Sequence, residues 1–299
     1  MMGQQIPRAM EHSRAVIRGL SENLYGKVLD RVASTELPSF MLVPLLRAYC
    51  RVYHVDAGDV SGPLDDYRNL REFFVRPMPS GARHVDTDPA HLTSPVDGTV
   101  LASGMFQDIP LQTLTIKDRL YTIEDLLGTD ERPAGFGSGA YVLFYLAPGD
   151  YHRFHSPLDG LVTGWDYLPG TCHPVNRIGR RLFPDLYVTN RRVVLWMETQ
   201  DDPPLRLYLV LIGAMGVGRI AVDIDGLHIA GEGGEERHVR LDVPARVGRG
   251  DDLGRFDLGS SVLVVCSAAD HRTTIIADEG PIRLGMPVIS VTTREIADV

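Results

Sequence analysis

From about residue 76 onward the chain is a succession of short apolar runs broken by Gly, Pro and Asp: GTVLASG, YVLFYLAP, GLVTGWDYLPG, RRVVLWMET, LRLYLVLIGAM, GRIAVDI, SSVLVVCSA and TTIIADEG. Runs of this length, rich in β-branched and aromatic residues and bounded by turn formers, read as strands. Only the neighbourhood of IEDLLG looks locally helical. The expectation is an α+β fold. A β-rich domain with pseudo-duplicated hairpins over 76–299 follows an N-terminal amphipathic helical region over 1–75.

In that first region Val16, Leu20, Leu24, Val28 and Val32 recur every four residues, with Ile17, Tyr25 and Leu29 widening the stripe, the spacing of an amphipathic helix. After Leu37 and Pro38 a second helical segment starts near Ser39, although Pro44 sits where an uninterrupted helix does not want it. No stretch approaches the roughly 18 apolar residues that a spanning helix needs. Cys50, Cys172 and Cys266 are odd in number and far apart. That spacing argues against a disulfide framework and a zinc ribbon and for a reducing compartment. A net charge of −9 disfavours a general nucleic-acid binder.

Two segments repeat: SPVDGTV at 94–100 and SPLDGLV at 156–162. Pro presets a turn and Asp-Gly supports a tight bend, so each copy can feed a strand. Reactive groups collect in three places: Asp97 in the first copy, His152 and His155 in DYHRFHSP, and Gly259-Ser260-Ser261 before an apolar strand. Singly, each has a stronger structural reading. Asp-Gly is usually a turn, the two histidines have no HExxH-type acidic partner and give no metal site, and GxSxG is absent.

In combination these segments resemble the phosphatidylserine decarboxylases, self-cleaving pyruvoyl enzymes. The ordered motifs are NLREFFVRP with its GAR follow-on, SPVDGTV, DYHRFHSPLDG, PVN with LFPDLYVTNRRVVL, IGAMGVGRI, and RGDDLGRFDLGSSV. The chain departs from the family pattern at Ser261, where Thr is usual, at Arg249, where Lys is common, and at Cys172 and His173. The resemblance implies that Asp97, His155 and Ser260 form a self-processing triad. Ser260 Oγ attacks the Gly259 carbonyl, His155 takes its proton and Asp97 orients the imidazole. Cleavage would give a β chain of 1–259 and an α chain of 260–299, held together as a heterodimer. Ser260 would become a covalent pyruvoyl group that forms a Schiff base with phosphatidylserine and yields phosphatidylethanolamine and CO2. His152 is the candidate proton donor to the product carbon. No metal is implied.

The resemblance also implies a peripheral enzyme on the cytoplasmic face of a membrane, and it alone suggests a homodimer of these heterodimers. The helices around FMLVPLL, with Arg14, Arg18, Lys27, Arg31, Arg47 and Arg51, are expected to meet anionic head groups; packing on the core is the rival. Two other functions compete. One is a related pyruvoyl decarboxylase of a soluble, for example aromatic, amino acid, and the other is a non-catalytic carrier or binding domain built on the repeated hairpin.

Overall fold

The computed structural model describes residues 24–106, 113–116, 119–129, 137–214, 219–224, 227–231, 234–257, 259–268 and 271–293. Two helices come first, α1 (Leu24–Ser34) and α2 (Ser39–Tyr53), and then the short α3 (Leu70–Phe74). The expected helical stripe at Val16, Ile17 and Leu20, with Arg14 and Arg18, lies outside the described residues, as does the Lys27 side chain and the 215–218 part of the IGAMGVGRI motif. α2 runs through Pro44 without a break. The ring removes the bond to the carbonyl of Phe40, in the first turn where Phe40 is 78% exposed, so water can replace it. Leu42 and Leu46 from α2 form a small core with Tyr67 and Phe73.

The strands are β1 (His91–Thr93), β2 (Gly98–Phe106), β3 (Thr113–Ile116), β4 (Arg119–Thr122), β5 (Gly139–Leu146), β6 (Arg153–His155), β7 (Gly160–Leu168), β8 (Arg192–Glu198) and β9 (Arg206–Gly213). They continue with β10 (Ile220–Ile224), β11 (Leu227–Gly231), β12 (Arg237–Val247), β13 (Asp252–Phe256), β14 (Ser260–Ser267), β15 (His271–Ile275), β16 (Gly280–Ile282) and β17 (Pro287–Thr293). Between them lie α4 (Ile123–Leu127), α5 (Arg177–Leu182) and α6 (Leu186–Thr189).

An eight-stranded antiparallel sheet, ordered β12-β7-β8-β9-β14-β5-β2-β16, organises the molecule. Its central strands are apolar throughout because both faces are covered. Val262, Val264 and Cys266 of β14 join one core with Val142 and Phe144. Leu263 and Val265 point the other way, into a second core with Leu143 and α4. The β11-β10-β13-β6 and β1-β17-β15 sheets add further residues to the first core. Each fully buried Leu or Val contributes about 1.5–3 kcal/mol of apolar transfer.

Among the elements that depart from the sequence expectation are α5 and β12. Helix is not confined to IEDLLG: α5 forms where Asn176 accepts a hydrogen bond from the Gly179 amide, a cap that stabilises a helix too short to show periodicity. β12 is a strand despite its charged sequence, because it is the sheet's exposed edge, with Val243 83% exposed.

The repeat is a pseudo-twofold. Thr93 N–H donates to Pro157 O (3.0 Å) and His155 N–H to Pro95 O (2.8 Å), so each copy of Ser-Pro ties the residue before the other. Ser94 Oγ donates to Val96 O (2.7 Å) and Ser156 Oγ to Leu158 O (2.6 Å). The Leu284 amide donates to Asp97 Oδ1 (2.7 Å), and the Arg249 amide donates to Asp159 Oδ1 (2.9 Å). Asp97 and Asp159 are therefore structural equivalents.

Candidate active site

The end of β5 brings the reactive residues together. Leu146 pairs with Ser260 of β14 on one side, and on the other Gly98, just after Asp97, lies against it. A Cβ on Gly98 would meet Tyr145 O at 2.4 Å, at a φ of +153°, so this turn admits only glycine. Adjacent strands are about 4.8 Å apart, which sets Asp97 and Ser260 at the same sheet end. The His155 N–H donates a hydrogen bond to Pro95 O, two residues before Asp97, which ties His155 to the Asp97 turn.

Gly259 has φ +48°, in the left-handed region where an L side chain costs about 1–2 kcal/mol. Ser260 is wholly buried, and its Oγ has no hydrogen-bond partner among the described residues. A buried hydroxyl without a partner is costly. Here it adjoins a carbonyl, that of Gly259, held at 3.1 Å by the Ala214 amide. Gly259→Ala is expected to slow any cutting at this bond several-fold while leaving the fold intact, as followed by gel densitometry of freshly made protein.

Asp97 is not hydrogen-bonded to His155. Arg83 Nε reaches both of its oxygens at 3.1 Å, and the Leu284 amide takes Oδ1. Arg83 also pairs with Asp59 at 2.6 Å. The His155 tautomer is set instead by a backbone carbonyl: Nδ1–H donates to Gly250 O (2.8 Å), which leaves the Nε2 lone pair facing Tyr151 Oη (3.1 Å). Burial pushes the His155 pKa below its ordinary value, the Gly250 carbonyl offsets this in part, and the charges of Asp252 and, more weakly, Asp97 act in the same upward direction. The basic nitrogen is thus Nε2, and it is unprotonated at neutral pH.

His152 is fully enclosed. It stacks on Phe74 (centroids 4.0 Å apart, planes at 20°), and its Nε2–H donates to Ala147 O (3.0 Å). Nδ1 has no partner among the described residues. Burial pushes its pKa down to about 3. Because the unfolded chain binds a proton near pH 6.5 and the folded ring does not, the stabilisation is complete above pH 6.5 and is lost as pH falls from there toward 3. His152→Gln should flatten the fall in urea midpoint between pH 7 and pH 4; an unchanged slope would assign the acid sensitivity elsewhere.

A cavity of about 410 Å³ opens beside this sheet end, bounded by Asp59, Arg83, Asp97, Gly98, Asp150 and Arg283. A larger one, about 570 Å³, lies at the equivalent turn around Asp159. No member of the Asp97, His152, His155 and Ser260 set lines that second cavity. No metal-ligating cluster occurs among the described residues.

Residues 70–290 match the family model described as phosphatidylserine decarboxylase. The chain belongs to the phosphatidylserine decarboxylase family. It is similar to the phosphatidylserine decarboxylase proenzyme of Anaeromyxobacter sp. (strain K), 33% identical over 92% of this chain and 96% of the relative. It is also similar to the proenzymes of Brevibacillus brevis, 31% identical over 84% and 87%, and Bordetella pertussis, 33% identical over 88% and 89%. The protein is therefore a decarboxylase, and the proenzyme relatives imply a precursor that is cut into chains.

Several residues of this decarboxylase's site carry no signature in the sequence. Gly250 acts through its carbonyl and Ala214 through its amide, which any residue type supplies. Asp59 stands in a single 3-10 turn, Ala57–Asp59, too short to show a pattern. Arg83 was within reach, because it is the last residue of the GAR segment that follows NLREFFVRP.

Proposed function

We propose that this decarboxylase converts phosphatidylserine to phosphatidylethanolamine and CO2 with a pyruvoyl group that it makes from Ser260 by cutting itself after Gly259. One observation carries the reading. In a member of a proenzyme family, a buried serine hydroxyl without a partner follows a left-handed glycine at the head of a central strand. The residues present fit such a group, since converting Ser260 breaks no hydrogen bond of its side chain.

In this reading Ser260 Oγ attacks the Gly259 carbonyl carbon and gives its proton to His155 Nε2 once the Tyr151 hydroxyl has turned aside. The C–N bond breaks, the nitrogen takes the proton and an ester remains. Removal of the Ser260 Cα proton expels the Gly259 carboxylate, and water converts the remaining dehydroalanine to the pyruvoyl group and ammonia. Asp97, fixed by Arg83, favours the charged imidazole through its field. The finished group would supply an electron sink for the pair left behind on the substrate carbon when CO2 departs. His152 returns a proton to the product carbon. Its ring is neutral as found, so it serves as an acid after Nδ1 has gained a proton, which an anionic head group nearby favours.

Intact mass of purified protein tests the cut, with fragments 1–259 and a pyruvoyl-capped 260–299 expected. Turnover of phosphatidylserine but not of free aromatic amino acids tests the substrate; the reverse preference would replace the lipid by a soluble amino acid.

The same reading makes the enzyme peripheral on the cytoplasmic face of a membrane. Phe40, Met41 and Leu45 of α2 are 78%, 51% and 44% exposed, and Val28 and Val32 of α1 are exposed as well. Arg31, Arg47 and Arg51 are exposed on the same helices, each adding about 1 kcal/mol near an anionic surface. Changing Phe40, Met41 and Leu45 together to Ser should abolish flotation with vesicles containing phosphatidylserine and leave self-cleavage unchanged. Equal flotation of the two proteins would remove α2 from the docking surface.

A further inference from the structure

We infer that the Gly213–Ala214 peptide is the oxyanion donor for self-cleavage, and that Asn190 is the residue that aims it. This rests on the reading that the chain cuts itself between Gly259 and Ser260. The Ala214 N–H lies 3.1 Å from Gly259 O, the oxygen that gains charge when Ser260 Oγ adds to the carbonyl carbon. A hydrogen bond to an oxyanion is about twice as strong as one to a neutral carbonyl, so this contact favours the transition state over the resting amide.

The bond continues the β9–β14 ladder by one rung beyond Ser260↔Gly213. What sets it apart from other rungs is the grip on the far side of the same peptide. In a trans peptide C=O and N–H point in opposite directions in one plane, so fixing the Gly213 carbonyl aims the Ala214 N–H. β8 begins only at Arg192. Past its end Asn190 supplies the donor: Nδ2 reaches Gly213 O at 2.9 Å and His173 O at 2.8 Å. Asn190 Oδ1 accepts from the His173 amide (2.8 Å) and from Thr171 Oγ1 (3.2 Å). The His173 amide can only donate, so the side-chain amide cannot be flipped. Asn190 is wholly buried with both ends occupied. The backbone of His173, a position that departs from the family pattern, and the Thr171 hydroxyl are therefore the clamp that orients Asn190.

During the step, the Ser260 Oγ–C bond forms, the Gly259–Ser260 C–N bond breaks and the Oγ proton ends on the nitrogen. Gly259 O carries the negative charge in between, opposite the Ala214 N–H.

Cell-free synthesis of the full chain allows precursor loss to be timed. Replacing Ala214 by L-lactic acid swaps only its N–H for an ester oxygen. It should slow cleavage by about 100-fold or more, whereas the matching hydroxy acid at Val210, four residues back along the same strand and opposite Leu263, should slow it less than about 3-fold. Asn190→Ala should slow cleavage by about 10-fold and leave precursor that hydroxylamine does not cut at Gly259, because the ester has not formed. A merely structural role for Asn190 would lower the melting temperature without changing that trap. Equal effects at Ala214 and Val210, or a hydroxylamine-sensitive Asn190→Ala precursor, would overturn the inference. Wild-type chain that is never cut at Gly259 would instead overturn the underlying reading.

Discussion

Ser260→Ala is expected to give one uncut 33.0 kDa chain, inert to hydrazine-type carbonyl reagents and without decarboxylase activity. It should fold at least as well as the parent. The Ser260 hydroxyl is buried and makes no hydrogen bond with the described residues, so its removal takes away a desolvated group without stranding a partner. Mass spectrometry and a urea titration check both parts. A variant that still splits after Gly259 would remove Ser260 as the nucleophile. One that stays whole but loses several kcal/mol would show that the hydroxyl has a structural partner.

Arg83→Ala should have the largest effect on stability. Its side chain is only 7% exposed and bridges Asp59 and Asp97, which are 8% and 9% exposed. Removing it leaves two buried carboxylates facing one another, a loss of about 3–5 kcal/mol for a broken buried pair. In the Ser260→Ala background, where every molecule is uncut, the urea midpoint should fall accordingly, and Asp59→Asn should restore part of it. In the otherwise native chain, cleavage should slow as well, because Asp97 loses Arg83 and keeps only the Leu284 amide on its carboxylate. An unfolding free energy within about 0.5 kcal/mol of the parent would mean that water screens the pair.

The contrast between β14 and β12 explains how much of the fold was legible. SSVLVVCS announces a strand because two cores require apolar side chains on both of its faces. RHVRLDVPARV does not, because an edge strand facing water satisfies its pattern with charge. The site divides in the same way. Gly259, Ser260, Asp97 and both histidines stand in recognisable motifs, whereas the contacts that hold them are long-range and use the backbone. His155 is oriented by a carbonyl at Gly250, and Asp97 by an arginine whose other partner is Asp59. Local pattern identifies side chains that could react; it carries no information about which main-chain groups the fold places opposite them.

β14 is bonded along its whole length to β5 and nearly all of it to β9, and it begins at Ser260, where the proposed cut falls. Architecture and chemistry therefore ask different things of the bond after Gly259. The sheet keeps its grip on the severed strand without any covalent tether, yet a separately synthesised 260–299 peptide docked in the same slot would start with an amine and have no keto group to offer. A gene split at this codon should assemble a look-alike that cannot turn over, which makes an unbroken message the condition for activity and not for shape.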